Sequence, residues 1–281
     1  MRIGVTGGGG FLGRSLVIEL TGAGHEVVVL DEREVNCWRQ VYGRAFDGDL
    51  KRVFAGCDLI FHLEWSGSFR QAKEDPVGTR QRNLNTVHRV LDCVVPVVFT
   101  STSLVYGGNL EHPSGEEEDV APRAPYGEQK LEAERLVREA GGCAVRVFNL
   151  YGPNSTDPAQ IIPRLITAAR GDGRVSLNGD GLQKRDFVHR IDAAKALLEL
   201  ASRKVAGNVF NLSSGIGTTM IDLVNLVFAE AGREPEITWN PPVAGEARMI
   251  CGDPTALKQL TQWEPTIQLC EGIRTLLAHP S

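Results

Sequence analysis

Tyr126 and Lys130 stand four residues apart in Pro125-Tyr126-Gly127-Glu128-Gln129-Lys130. Pro125 suits the first turn of a helix, and an i, i+4 spacing puts both side chains on one face of it. A phenol ordinarily titrates near about 10, and a neighbouring ammonium favours its phenolate. Such a pair can exchange a proton with an alcohol or sugar hydroxyl. Thr102, in Thr100-Ser101-Thr102-Ser103-Leu104-Val105-Tyr106-Gly107, lies just past an apolar strand-like run. That is where α/β sheets place ligand-contacting residues, and its hydroxyl can hold the reacting oxygen. Alone, YxxxK is better explained by a surface tyrosine and a solvated lysine, so the weight falls on what accompanies it.

What accompanies it is Thr6-Gly7-Gly8-Gly9-Gly10-Phe11-Leu12-Gly13, directly after the first apolar run and opening the first helical stretch. Gly7, Gly10 and Gly13 fall at GxxGxxG spacing, which serves a tight turn, close backbone approach to a pyrophosphate and close packing of helix on sheet. The helix N-terminus then offers free N–H groups and the positive end of its dipole to phosphates. Asp31 closes the second apolar run, 18 residues after Gly13. A carboxylate there accepts hydrogen bonds from a ribose diol and repels a 2′-phosphate, favouring NAD over NADP. Arg33, two residues on, works the other way, because it can swing to such a phosphate.

These groups need elements to position them. Arg2–Thr6, Glu26–Leu30, Arg44–Phe46, Asp58–Leu63, Val94–Thr100 and Val145–Leu150 read as strands. Phe11, Leu12, Leu16 and Leu20 repeat at helical spacing, as do stretches near 76–92 and 126–140. Nearly continuous apolar strands alternating with helices imply a parallel sheet covered on both faces. After Tyr151 the apolar runs shorten: helical stretches near 158–170, 190–202, 218–231 and 267–278 alternate with runs at 208–212 and 236–239, the former a candidate extension of the main sheet. The expectation is an α/β fold, a Rossmann-type doubly wound parallel sheet over 1–150. Residues 151–281 then form a smaller, interleaved α/β substrate-binding part.

The 281 residues carry a net charge of -5, which argues against a broad nucleic-acid footprint. The six cysteines show no CxxC spacing, so reduced, mostly buried thiols are expected. No apolar run approaches the about 20 residues of a membrane span, and no signal peptide is read, so a cytoplasmic location is expected. The histidines make no HxxxH or HExxH pattern and no metal is expected; His62 reads as a core histidine. Glu116–Asp119 reads as a solvated charge run.

With these residues in hand, the chain resembles the extended short-chain dehydrogenases/reductases, in the NAD-dependent epimerase/dehydratase group that acts on nucleotide sugars. The resemblance spans nearly the whole chain. It rests on TGGGGFLG at 6–13, Asp49-Leu50, HL at 62–63, Asn83 with Thr86, and Ser101-Thr102 through Val105-Tyr106-Gly107. It continues through Pro125-Tyr126-Gly127 with Lys130, Asn149 to Pro153, Gly179-Asp180-Gly181 and Arg185 to His189. The resemblance implies that Gly7, Gly10 and Gly13 bind the pyrophosphate with the backbone of Phe11 and Leu12. It gives the adenosine ribose to Asp31 and sets Asp49 and Leu50 beside the adenine. It makes Thr102, Tyr126 and Lys130 the catalytic set, and Asn149 and Arg185 contacts of the substrate diphosphate. It also implies a homodimer. The chain departs from the pattern in four places, the first being a short region between the second and third strands, only 31 to about 44. Glu64 and Trp65 stand where two small residues are usual. Val243 and Ala244 precede Gly245-Glu246 without the usual arginine, for which Arg248 is the nearest substitute. Arg190 replaces an apolar residue.

Dehydratases and uronic-acid decarboxylases that the chain resembles carry an acid in the loop after the catalytic Ser/Thr; Ser103 and Leu104 follow here. A 3,5-epimerase carries a cysteine there, also lacking. Two reactions stay open: a nucleotide-sugar 4-epimerase with tightly held NAD, toward which Asp31 and Ser68–Pro76 lean, and a 4-ketoreductase of an NDP-4-keto-6-deoxy sugar using NAD(P)H, toward which the short chain leans. A non-catalytic dinucleotide sensor is the third reading, against which both Tyr126 and Lys130 are present.

Overall fold

The structure is a computed structural model that describes residues 1–45, 47–108, 111–155 and 160–278. The first half runs β1 (Arg2–Thr6), α1 (Phe11–Gly22), β2 (Glu26–Leu30), β3 (Arg39–Val41), α2 (Leu50–Val53), β4 (Leu59–His62), α3 (Phe69–Glu74), α4 (Pro76–Leu91), β5 (Val97–Thr102), a 3-10 turn at Ser103–Tyr106, α5 (Pro125–Glu139) and β6 (Cys143–Val147). The second runs β7 (Asn149–Tyr151), α6 (Ile161–Arg170), β8 (Arg174–Asn178), β9 (Lys184–His189), α7 (Arg190–Leu200), β10 (Val209–Leu212), β11 (Gly217–Thr219), α8 (Met220–Glu230), β12 (Glu236–Asn240), β13 (Met249–Ile250), α9 (Thr255–Thr261) and α10 (Leu269–Ala278). No described helix is long and apolar enough to cross a membrane.

Seven strands form one parallel sheet in the order β10-β6-β5-β4-β1-β2-β3. Its strands are buried on both faces because both faces carry helices. On one, Leu16, Leu20, Leu197 and Leu200 of α1 and α7 cover Val5, Phe61 and Val98. On the other, Val87 and Val90 of α4 and Val137 of α5 cover Val28, Ile60 and Phe99. Strand order reverses between β1 and β4, which opens a crevice at their carboxyl ends. The run expected at 208–212 joins this sheet as the edge strand β10, beside β6. The remaining strands make a small sheet around β9, paired with β7, β11 and β13, and a two-stranded pair of β8 with β12.

The third strand lies at Arg39–Val41, not at the expected Arg44–Phe46, of which Phe46 falls outside the described residues. The Gln40 side chain accepts from Val35 N–H and donates to Arg33 O, folding the intervening turn so that 39–41 meets β2. Ala45 N–H is taken instead by Glu64 Oε2 at 2.9 Å.

A buried ion pair fastens α5 to the sheet. Arg146 Nη2 and Nε donate to the two Glu134 oxygens at 2.6 and 3.2 Å, and Arg146 Nη1 donates to Tyr106 Oη at 2.8 Å. Tyr106 Oη donates in turn to Asn211 Oδ1 at 2.8 Å. Glu116 belongs to this network and is not the solvated charge expected: its Oε1 accepts Asn211 N–H at 2.7 Å. Removing one partner of a buried pair strands the other charge, so Glu134→Ala is expected to cost about 3–5 kcal/mol, read as a lowered urea midpoint.

Candidate active site

The glycine loop links β1 to α1 in a turn that leaves no room for side chains. Gly7 has φ +72°, and a Cβ on Gly13 would stand 2.2 Å from Gly7 O. Gly10 N–H donates to Gly7 O at 3.0 Å. No side chain caps α1, so N–H groups of its first turn face the crevice at the positive end of the helix dipole. This cradle of bare backbone fits a dinucleotide pyrophosphate.

Asp31 accepts Gly9 N–H at 2.9 Å, Arg33 N–H at 2.8 Å and the Arg33 guanidinium at 3.0 and 3.2 Å. Burial opposes its ionisation, but Arg33 and the Gly9 amide prevail and hold the carboxyl below its ordinary range. Arg33 therefore screens the carboxylate expected to meet the ribose. Asp49 caps α2, its Oδ1 accepting Arg52 N–H at 3.2 Å, and the Leu50 side chain belongs to the core. Glu64 turns toward the loop before α2, where it accepts Ala45 N–H; burial, the first cause, raises its carboxyl.

Thr102, Tyr126 and Lys130 come from the end of β5 and from one face of α5, and they line one cleft of about 620 Å³ with Gly7, Gly10, Phe11, Leu12 and Gly13. Thr102 Oγ1 accepts Leu104 N–H at 3.3 Å. Lys130 Nζ donates to Thr100 O at 2.7 Å and lies 4.0 Å from the centre of the Trp65 ring. Burial pushes the Tyr126 hydroxyl up to about 12 and the Lys130 amine down to about 7. The charge pairing suggested by the YxxxK spacing is thus opposed by desolvation. His62, beneath them at the end of β4, is held neutral by burial and the Lys130 charge, at about 3, with Nδ1 bonded to Thr6 Oγ1 at 2.6 Å.

A second cavity of about 370 Å³ continues the cleft through Asn149, Leu150 and Gln160. Arg185 lines it, paired with Glu246 at 3.1 Å rather than with its neighbour Asp186 or with Asp192 on α7. Asp186 is buried elsewhere, accepting Ser214 and Gly215 N–H groups at 2.8 and 2.9 Å. Asn149 Nδ2 donates to Asp186 O at 2.9 Å. Arg248 lies outside both cavities, in an adjoining pocket, held by Asp180 at 2.7 and 3.0 Å. Sequence reasoning missed Gln160 and Arg164 as lining residues of the second cavity and Phe69 as a wall of the first. None falls in a spacing that marks a site: Gln160 and Arg164 belong to the start of α6, and Phe69 opens α3 inside the Ser68–Pro76 stretch, where no single residue stood out.

The family model for the NAD dependent epimerase/dehydratase family matches residues 3–213. UDP-glucuronic acid decarboxylase 1 of Arabidopsis thaliana is 30% identical, over 99% of this chain and 69% of that protein. Among solved structures, UDP-glucose 4-epimerase of Thermotoga maritima with UDP-glucose superposes with a TM-score of 0.89 and 29% identity, over 99% of this chain and 98% of that one. MoeE5 in complex with UDP-glucuronic acid and NAD gives a TM-score of 0.86 and 29% identity, with the same coverage.

Proposed function

We infer the reaction from one premise: the chain belongs to the NAD dependent epimerase/dehydratase family and is an NAD-dependent enzyme. We propose that it is a nucleotide-sugar 4-epimerase. The observation that carries this reading is the make-up of the cleft: Thr102, Tyr126 and Lys130 meet the glycine loop there, and the residues after Thr102 that line it are Ser103 and Leu104. A hydroxyl and an aliphatic side chain give no acid for elimination of water from the sugar, whereas exchange of one proton at O4 needs only the tyrosine.

The glycine loop with the Phe11 and Leu12 amides would hold the pyrophosphate of NAD, Asp31 its adenosine ribose, and Lys130 its second ribose. When bound, NAD supplies an acceptor for hydride that can give the hydride back. Tyr126 Oη takes the proton of the sugar 4-hydroxyl and later returns it to the same oxygen. Thr102 Oγ1 holds that oxygen by a hydrogen bond. The Lys130 ammonium favours the phenolate that burial disfavours. Asn149 and Arg185 bind the substrate diphosphate, the guanidinium exchanging Glu246 for phosphate oxygens; Arg248, already held by Asp180, is the weaker candidate. A second copy of the chain is the proposed partner.

Denaturing the purified protein and identifying the released dinucleotide tests this reading. Near-stoichiometric NAD, followed by interconversion of UDP-glucose and UDP-galactose on the holoenzyme, is the expected result. A protein that emerges empty and turns over only with added NADPH points instead to 4-ketoreduction. The observation favouring that second reading is the exposed Arg33 guanidinium beside Asp31, placed to meet a 2′-phosphate.

A further inference from the structure

The Lys130 amine has no carboxylate partner among the described residues. Its surroundings are rings and one carbonyl: the Trp65 face at 4.0 Å, the Phe99 face at 4.7 Å and Thr100 O at 2.7 Å. Trp65 is in turn wedged between rings, 5.7 Å from Phe99 and edge-on to Tyr126 at 6.4 Å. Its Nε1 is buried and has no hydrogen-bond partner among the described residues. The indole is therefore fixed by ring packing, and what it offers the site is its π face. A cation over an indole face is attracted by the ring quadrupole, the more so where water is excluded.

We propose that Trp65 is a positioning residue for Lys130: its indole face supplies the negative potential that a carboxylate would otherwise provide, and so keeps the ammonium charged and fixed beside Tyr126. The proposal rests on the assignment of Tyr126 and Lys130 as the proton-exchange pair. Lys130 shares its cleft with Tyr126 on its own helix, lies near enough to His62 on β4 to lower it, and donates to the Thr100 carbonyl on β5. With His62 held at about 3 and Tyr126 at about 12, only Lys130 titrates in this cluster between those limits. Removing the ring's attraction favours the neutral amine, so the lysine must lose its proton at lower pH.

The test compares Trp65→Leu, which keeps apolar bulk without a π face, with Trp65→Phe, which keeps a π face. The Lys130 amine is followed by nitrogen-15 NMR in lysine-labelled holoenzyme, with Lys130→Met identifying its resonance. In Trp65→Leu the Lys130 titration is expected to fall by about one pH unit, and kcat on the plateau above that titration by up to about ten-fold because the ammonium–phenolate form becomes scarcer, while Trp65→Phe restores most of both. The KM for the nucleotide sugar is expected to change less than about three-fold in either, because the lost effect acts on the proton carrier and not on ground-state binding. Trp65→Met serves in place of the leucine variant if that one does not fold. Equal titrations in the leucine and phenylalanine variants would overturn the proposal and leave Trp65 as packing. Tyr126→Phe measured in parallel separates the two levels: if it stays active, the site assignment itself fails; if it is inactive while both Trp65 variants titrate alike, only the role of Trp65 fails.

Discussion

Tyr126→Phe should lower kcat by roughly two to four orders of magnitude, the range that a positioned acid–base contributes, while the protein still folds and still holds NAD. The change deletes one oxygen. That oxygen makes no hydrogen bond to a described residue, so its loss leaves no buried partner unsatisfied and costs little stability. The ring remains packed between Trp65 and Phe69, whose centres both lie 6.4 Å from it. Binding of the dinucleotide is assigned to the glycine loop, Asp31 and Lys130, which the substitution does not touch. A variant with the same bound NAD, the same thermal midpoint and no turnover is thus the expected result, measured by released dinucleotide, calorimetry and an epimerisation assay. Wild-type turnover would remove Tyr126 from the mechanism, whatever its place in the cleft. Loss of NAD together with activity would make the tyrosine a cofactor contact rather than the proton carrier.

The parts of this site that were legible in the sequence are those whose requirements are local. The glycine spacing reports a turn whose atoms lie within a few residues of one another, and the i, i+4 pair reports a helix face. The strands of the main sheet were legible because burial on both faces leaves them nearly all apolar, as in Val97–Phe99 and Val27–Leu30. What escaped depends on contacts made across the chain. β3 is chosen by a Gln40 side chain that shapes its own turn, while Ala45 is drawn away by Glu64, 19 residues on. Glu116 resembles its acidic neighbours in sequence but finds the Asn211 amide 95 residues later. β9 and β11 carry polar residues without an alternating pattern, β13 is only two residues, and the alternation of β8 spans just five residues, so none stood out as a strand. The charge states of Tyr126 and Lys130 were the subtlest case. Spacing describes how the two interact, whereas their desolvation comes from what packs around them, Trp65 and Phe99 against Lys130 and Trp65 and Phe69 against Tyr126.

Gly13→Ala should all but abolish cofactor retention. The added methyl would lie 2.2 Å from Gly7 O and 2.7 Å from Gly8 Cα. Both are backbone atoms of the turn that carries the pyrophosphate cradle, so no rotamer can relieve the clash. Relief requires α1 to move away from β1 or the loop to open, and either movement scatters the amides that must converge on one anion. Overpacking of this kind costs about 1–3 kcal/mol even where side chains can yield, so a lowered denaturation midpoint should accompany the loss of NAD. Gly22, at the far end of the same helix, has nothing within 4 Å of its own Cβ position. Gly22→Ala should keep full NAD and gain up to about 1 kcal/mol from the helix preference of alanine. The pair separates a general intolerance of α1 to change from a steric demand at one point. If Gly13→Ala retained NAD like the wild type, the closeness of Gly13 to Gly7 would reflect helix packing alone, and the cradle would have to be sought elsewhere along the crevice.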